Sequence, residues 1–290
     1  MSSLNDKIAV VTGTSRGVGV GIAHELLKAG ATVIGCSRSP LDAMPGAADI
    51  PGGAERSEQW VCDQEDWRQI QALIQRVVDT YGRIDILVNN AGGTIPAPHP
   101  EAIDPLVYTF QGLGKVEDEI ERTVLFHSFA VRNNLLNPMI FSLLAAREMK
   151  NNDSWSSIIN ISSGASNEGG SPSLMSYGAA KSGLNQMTST MAQEWGKYKI
   201  RTNCIALGAT VTDGFESFVL TEDDKDGKEY FKNVPLGRGG RPEEIGKICV
   251  FLSSSQAQVI NGATLKADGG MLPGALYDVG LKAITDLLDK

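Results

Sequence analysis

The chain has 290 residues, 42% of them apolar, which suffices for a continuous α/β core, and it carries a net charge of −8 with a pI near 5.0. That acidic balance, without a basic cluster, excludes the electrostatic footprint of a nucleic-acid or anionic-membrane binder. No apolar stretch reaches the ~18 residues needed to span a bilayer, and no basic-then-apolar leader opens the chain, so a cytoplasmic protein with small-molecule partners is expected.

In chain order, "KIAVVTG", "ATVIGCS", "EQWVCD", "IDILVNNAG", "SSIINISSG", "IRTNCIALG" and "ATLKADGG" read as short strands. They are apolar throughout, as strands covered on both faces should be. Helical apolar periods lie between them, in "GVGIAHELLKAG" closed by Gly30 and in "DWRQIQALIQRVVDTYG" closed by Gly82. Strand and helix in alternation predict right-handed βαβ crossovers: a Rossmann-type doubly wound parallel sheet with helices on both faces, as one domain over 1–290. Three stretches break the rhythm: 38–58, rich in Pro, Gly and Ala; 93–122, with Pro96, Pro98, Pro100 and Pro105; and the polar 213–233. Long segments of this kind usually form functional lids or mobile loops. Cys36, Cys62, Cys204 and Cys249 are widely spaced, with no CxxC pair and no metal-ligand pattern, so reduced core thiols are expected.

After the first strand, "VVTGTSRGVGVGI" places Gly13, Gly17 and Gly19 in a G-x-x-x-G-x-G spacing and opens a helix. Glycines permit close backbone approach, and the helix N-terminus offers free N–H groups to a pyrophosphate, although such a turn also serves as a plain strand-to-helix connection. Farther on, Tyr177 and Lys181 stand four apart, which puts them on one helical face. A free phenol titrates near about 10, and a neighbouring ammonium favours the phenolate. On a solvated face the same pair would do nothing.

The glycine spacing, "NNAG" at 89–92, Tyr177-x-x-x-Lys181 and "PLGRGGRPEEIGKICVFL" follow in an order that resembles the classical branch of the short-chain dehydrogenase/reductase family. The resemblance implies an oxidoreductase with Tyr177 as general acid/base and Lys181 binding the nicotinamide ribose. It implies Ser163, the second of two adjacent serines, as the group that holds the substrate oxygen, with Ser162 as the alternative. It implies Asn134 as the fourth catalytic member, in a helix that Pro138 should kink. For the cofactor it implies Gly13, Ser15, Gly17, Val18 and Gly19 around the pyrophosphate, with Arg16 in the same turn. Asp63 would contact the adenine, Asn89, Ala91 and Gly92 the ribose side, and Thr212 the carboxamide.

Ser37 stands where an NAD-preferring member carries an acidic residue, and Arg38 follows it, with Arg16 in the glycine turn. Two guanidinium groups suit a 2′-phosphate, which points to NADP(H) over NAD(H). No metal is called for, because the nicotinamide carries the hydride.

The substrate is expected to be a hydrophobic carbonyl or alcohol compound. The segment 93–130 is longer than usual for the family and holds His99, Tyr108, Phe110, Phe126, His127 and Phe129. These aromatics either cap a ring-bearing ligand or pack on the body of the protein. The tail 272–290 has an amphipathic pattern suited to docking on its own or a neighbouring subunit, and the family implies a homodimer or homotetramer. A non-catalytic cofactor sensor and an NAD-dependent oxidative enzyme are the competing readings.

Overall fold

The computed structural model describes residues 3–93, 119–166, 174–212, 227–232 and 234–271. Seven strands form one parallel sheet: β1 Ile8–Thr12, β2 Thr32–Ser37, β3 Ser57–Val61, β4 Ile86–Asn89, β5 Ser156–Ser163, β6 Ile200–Leu207 and β7 Thr264–Ala267. Their order is β3-β2-β1-β4-β5-β6-β7. Each predicted strand is present, and the order reverses between β1 and β4. In an open α/β sheet that switch point leaves a crevice beyond the carboxyl ends of the strands.

Strand alternation divides the core. Ala9 and Val11 pack with Ile22 and Leu26 of α1 (Val18–Lys28) and with Ile245 and Cys249 of a late helix, Pro242–Ser253. Ile8 and Val10 face the other way, toward Ile70 and Ile74 of α2 (Trp67–Tyr81) and Phe141 of Asn137–Met149. A fully buried Leu or Ile of this kind contributes roughly 1.5–3 kcal/mol. Asp66 starts α2 by accepting a hydrogen bond from Arg68 N (3.0 Å), and Gly82 ends it in the left-handed region.

The remaining helices in chain order are α3 Glu119–Val131, α4 Asn137–Met149, α5 Met175–Trp195, α6 Lys228–Phe231 and α7 Pro242–Ser253. Between α3 and α4 a π-helical turn spans Arg132–Leu136. None of the described helices is long and apolar enough to cross a membrane.

The segment 38–56 differs from the lid or mobile loop that its composition suggests. Met44, Ala47 and Ile50 are buried in the α1-side core, and Arg56 Nη1 donates to the carbonyls of Leu27 and Ala31 at 2.8 Å each. Apolar residues dispersed among Pro and Gly were enough to anchor it. The tail 272–290 and most of 213–233 lie outside the described residues. Arg56→Ala leaves two carbonyls at the end of α1 without their charged donor. It should lower the unfolding free energy by about 2 kcal/mol in urea titrations, whereas an unchanged midpoint would mean that the segment does not brace the helix.

Candidate active site

A cleft of about 990 Å³ opens at the switch point. Its two sides are joined by Thr12, at the end of β1, and Asn90, just past β4. Thr12 Oγ1 accepts from the backbone N–H groups of Asn90 (3.0 Å) and Ala91 (2.8 Å), and Asn90 Nδ2 donates to the carbonyls of Thr12 (2.8 Å) and Gly13 (3.2 Å).

On one side the glycine turn follows. Gly13 and Gly17 have φ of 75° and 63°, where a side chain would strain the backbone. At Gly19 a Cβ would collide with the Gly13 carbonyl and the Asn90 amide. The first turn of α1 thereby presents its unpaired N–H groups along a bare backbone surface, a cradle that fits a pyrophosphate. Ser15, Arg16, Gly17 and Val18 line it, as do Ser37 and Arg38 at the end of β2. The Ser37 hydroxyl donates to Ser39 O (2.8 Å) and accepts from Gln59 Nε2 (3.0 Å), so its single donor is already used. Arg16 and Arg38 are exposed and enter no ion pair among the described residues.

On the other side α5 carries Tyr177 and Lys181 one helical turn apart, both facing the cleft. Ser163, at the end of β5, stands beside the Tyr177 phenol on the cleft wall, and its hydroxyl accepts from Ala165 N (3.2 Å). Ser162 is engaged elsewhere, with Ser166 Oγ and the Lys181 carbonyl, both at 3.4 Å. The Lys181 side chain is 4% exposed; its Nζ donates to Ile161 O (2.8 Å) and lies 5.7 Å from the Tyr177 ring centre. Burial pulls the Lys181 ammonium down to about 8. It also raises the Tyr177 phenol above its ordinary value, against a smaller opposing pull from Ser163. The sequence argument expected the lysine to lower that phenol; desolvation wins because Nζ is held by a backbone carbonyl and is itself easily discharged.

Asn134 lies in the π-helical turn, fully buried, behind the cleft wall. Its Oδ1 accepts from Gly93 N (2.9 Å) and its Nδ2 donates to Gly93 O and Ala130 O (2.9 Å each), which fixes the strand exit beside Lys181. Pro138 explains the turn: it has no N–H to give the Asn134 carbonyl four residues back, and the ladder widens there. Gly92 has φ 155°, and a Cβ on it would stand 2.8 Å from Asn134 Oδ1 and 3.6 Å from Lys181 Nζ.

Two of the expected cofactor residues are not on the wall. Asn89 turns into the sheet, donating to Asn160 Oδ1 (2.8 Å) and Ser142 Oγ (2.9 Å); strand alternation gives the cleft position to Asn90. Asp63 accepts from Glu65 N (3.1 Å), while Cys62, Gln64 and Glu65 around it line the cleft. Ala91, Gly92 and Thr212 line it as expected, and the Thr212 methyl approaches Gly17. Phe129 reaches the wall, whereas His127 sits edge-on to Phe126 with centroids 5.2 Å apart. His99, Tyr108 and Phe110 lie outside the described residues. Asn90 and Thr12 were missed from the sequence; the period-2 orientation of a strand was the available signal.

A phosphate cradle at the switch point, facing a Tyr–Lys–Ser group of which the lysine is buried, defines a nucleotide-dependent oxidoreductase of the Rossmann type. The model of the short chain dehydrogenase family matches residues 7–223, and the chain belongs to that family, whose members use NAD(P)(H) to act on CH–OH or C=O groups. It is 32% identical, over 93% of its length and 97% of the relative's, to 2-dehydro-3-deoxy-D-gluconate 5-dehydrogenase of Escherichia coli (strain K12). It is 34% identical to the 3-oxoacyl-[acyl-carrier-protein] reductase of Chlamydia muridarum, over 93% and 99% of the two chains. Among solved structures, 7α-hydroxysteroid dehydrogenase complexed with NADH and 7-oxo glycochenodeoxycholic acid superposes with a TM-score of 0.77 at 27% identity, covering 93% and 96%.

Gly19→Ala should cost roughly 1–3 kcal/mol of stability through the collision with Gly13, and should abolish nucleotide binding even where the variant folds. A folded Gly19→Ala protein with wild-type affinity in fluorescence titration would refute the cradle.

Proposed function

We propose that the protein is an NADP(H)-dependent reductase that converts a ketone to a secondary alcohol, with Tyr177 as the general acid. The observation that carries this reading is the gathering of Ser163 and Tyr177 on the cleft wall with Lys181 buried one turn away. A phenol raised by burial stays protonated at neutral pH, which suits donation to a carbonyl oxygen better than removal of a proton from an alcohol.

When bound, the nicotinamide supplies or accepts the hydride at the substrate carbon. Ser163 holds the substrate oxygen by a hydrogen bond, and Tyr177 delivers its phenolic proton to that oxygen. Lys181, while charged, stabilises the phenolate left behind. Asn134 acts as a positioning residue, holding Gly93 and so the wall that faces Lys181. Ser15, Gly17, Val18 and Gly19 take the pyrophosphate on backbone N–H groups.

Preference for NADP(H) is supported by the ribose end of the wall. No carboxylate stands at Ser37, and Arg16 and Arg38 flank it; Glu65, beyond β3, is the only acid lining the described wall. The alternative, NAD-dependent oxidation, is favoured by the NADH in the 7α-hydroxysteroid dehydrogenase complex. Phe129 and Leu207 line the substrate side, in keeping with a largely apolar ligand. Assembly as a homodimer or homotetramer is supported by the exposed Ile120, Val124, Val131, Leu136 and Leu143 along α3, the π-helical turn and α4.

Initial rates of NADPH and NADH oxidation over a panel of aliphatic, aromatic and polycyclic ketones test the proposal. Turnover with NADPH should fall at least ~10³-fold in Tyr177→Phe with the fold intact, since acid catalysis and its hydrogen bond to the substrate oxygen are lost together. Arg38→Ala should weaken NADPH binding by roughly 1.5–3 kcal/mol and leave NADH unchanged. Equal loss for both cofactors would contradict the 2′-phosphate argument, and full activity of Tyr177→Phe the assignment of the acid.

A further inference from the structure

Cys36 and Cys62 lie far apart in sequence but meet at the cleft. β2 and β3 pair with Cys36 beside Trp60, and Cys62 N donates to Ser37 O (2.9 Å), which extends the ladder one step past β3. Two residues along a parallel strand return a side chain to the same face, so both thiols emerge in the α2-side core. Each thiol stands close enough to shift the other's titration, and both line the cleft.

The backbone around this pair belongs to the cofactor cradle. The Cys36 carbonyl accepts from Gly13 N (2.9 Å) and Thr14 N (3.2 Å), which seats the glycine turn. Ser37 and Arg38 follow Cys36, and Gln64 and Glu65 lie just past Cys62 on the same wall. Cys204 and Cys249 are buried and have no thiol neighbour among the described residues.

We propose that Cys36 and Cys62 form a modification site for hydroperoxides, at which oxidation to a disulfide weakens cofactor binding. The inference rests on reading the cleft as a cofactor site. The neighbouring Cys36 thiol lowers the Cys62 thiol, which makes Cys62 the attacking sulfur. Its sulfur bonds to one peroxide oxygen and the O–O bond breaks, leaving a sulfenic acid and releasing water, or an alcohol from an organic hydroperoxide. The Cys36 sulfur then displaces the sulfenic hydroxyl as water and forms the S–S bond. Two thiols lose two hydrogens and two electrons, and the hydroperoxide accepts them. Drawing the two sulfurs to bonding distance pulls the ends of β2 and β3 together, and with them the Cys36 carbonyl that holds Gly13 and Thr14.

The test treats the purified full chain with hydrogen peroxide, with and without NADPH or NADH, and then alkylates, maps peptides by mass spectrometry and titrates each cofactor by fluorescence. The expected result is one cross-link, between the Cys36 and Cys62 peptides, reversed by dithiothreitol and formed about tenfold or more slowly when cofactor is present. The oxidised protein should bind cofactor about tenfold or more weakly than the reduced protein. In Cys62→Ala and in Cys36→Ala the variant's own cofactor affinity should be the same before and after peroxide; where Cys36→Ala folds poorly the wild-type map and Cys62→Ala decide. The proposal is overturned if no cross-link forms, if the thiols proceed to sulfinic acid without one, or if the cross-linked protein binds cofactor as the reduced protein does. A reduced protein that binds neither NADPH nor NADH overturns the cofactor reading itself, and the proposal with it.

Discussion

The whole site depends on the clasp between Thr12 and Asn90. It ties the last residue of β1 to the first residue past β4, at the point where the strand order reverses. Parallel strands on either side feed helices to opposite faces, so their carboxyl ends would separate if left to themselves. One hydroxyl and one amide close that gap with four hydrogen bonds, all to backbone groups. Gly13 departs from one side of the clasp toward the phosphate cradle, and Ala91 departs from the other toward Asn134 and Lys181. The clasp therefore fixes the distance between the nucleotide-holding wall and the proton-donating wall.

Much of this was legible in the sequence, for identifiable reasons. Strands buried on both faces must be apolar throughout, and "KIAVVTG" or "SSIINISSG" are unlike anything on a surface. Tyr177 and Lys181 were legible because helical spacing fixes their face without knowledge of the rest of the fold. The glycine turn could be read because only a missing side chain permits the approach of Gly19 to Gly13. What stayed hidden depends on neighbours distant in sequence. Asn89 and Asn90 look alike as letters, and only the strand's orientation turns one inward and the other to the cleft. Segment 38–56 reads as a loop until Met44 and Ile50 find the α1 face. The contact between Cys36 and Cys62 exists only through the register of β2 against β3.

Electrostatics divided sequence reasoning from structure most clearly. Two groups one turn apart suggest mutual stabilisation of ammonium and phenolate, yet Lys181 is buried and Tyr177 half-buried, and desolvation penalises the charged form of each. Tyr177 is left neutral and Lys181 weakly basic, a pair set for proton donation. The π-helical turn at Pro138, the buried Asn134 and the bare Gly92 form the packing behind Lys181.

The pH dependence of kcat/KM for ketone reduction tests that arrangement most directly, because it reports the groups of the free enzyme. Lys181 is charged below about 8 and neutral above, while Tyr177 remains protonated past its ordinary range, so the rate constant should hold at acidic to neutral pH and fall as pH rises through about 8. A profile that stays level from about pH 6 to about 10 would contradict the claim that a buried, easily discharged lysine supports the proton transfer.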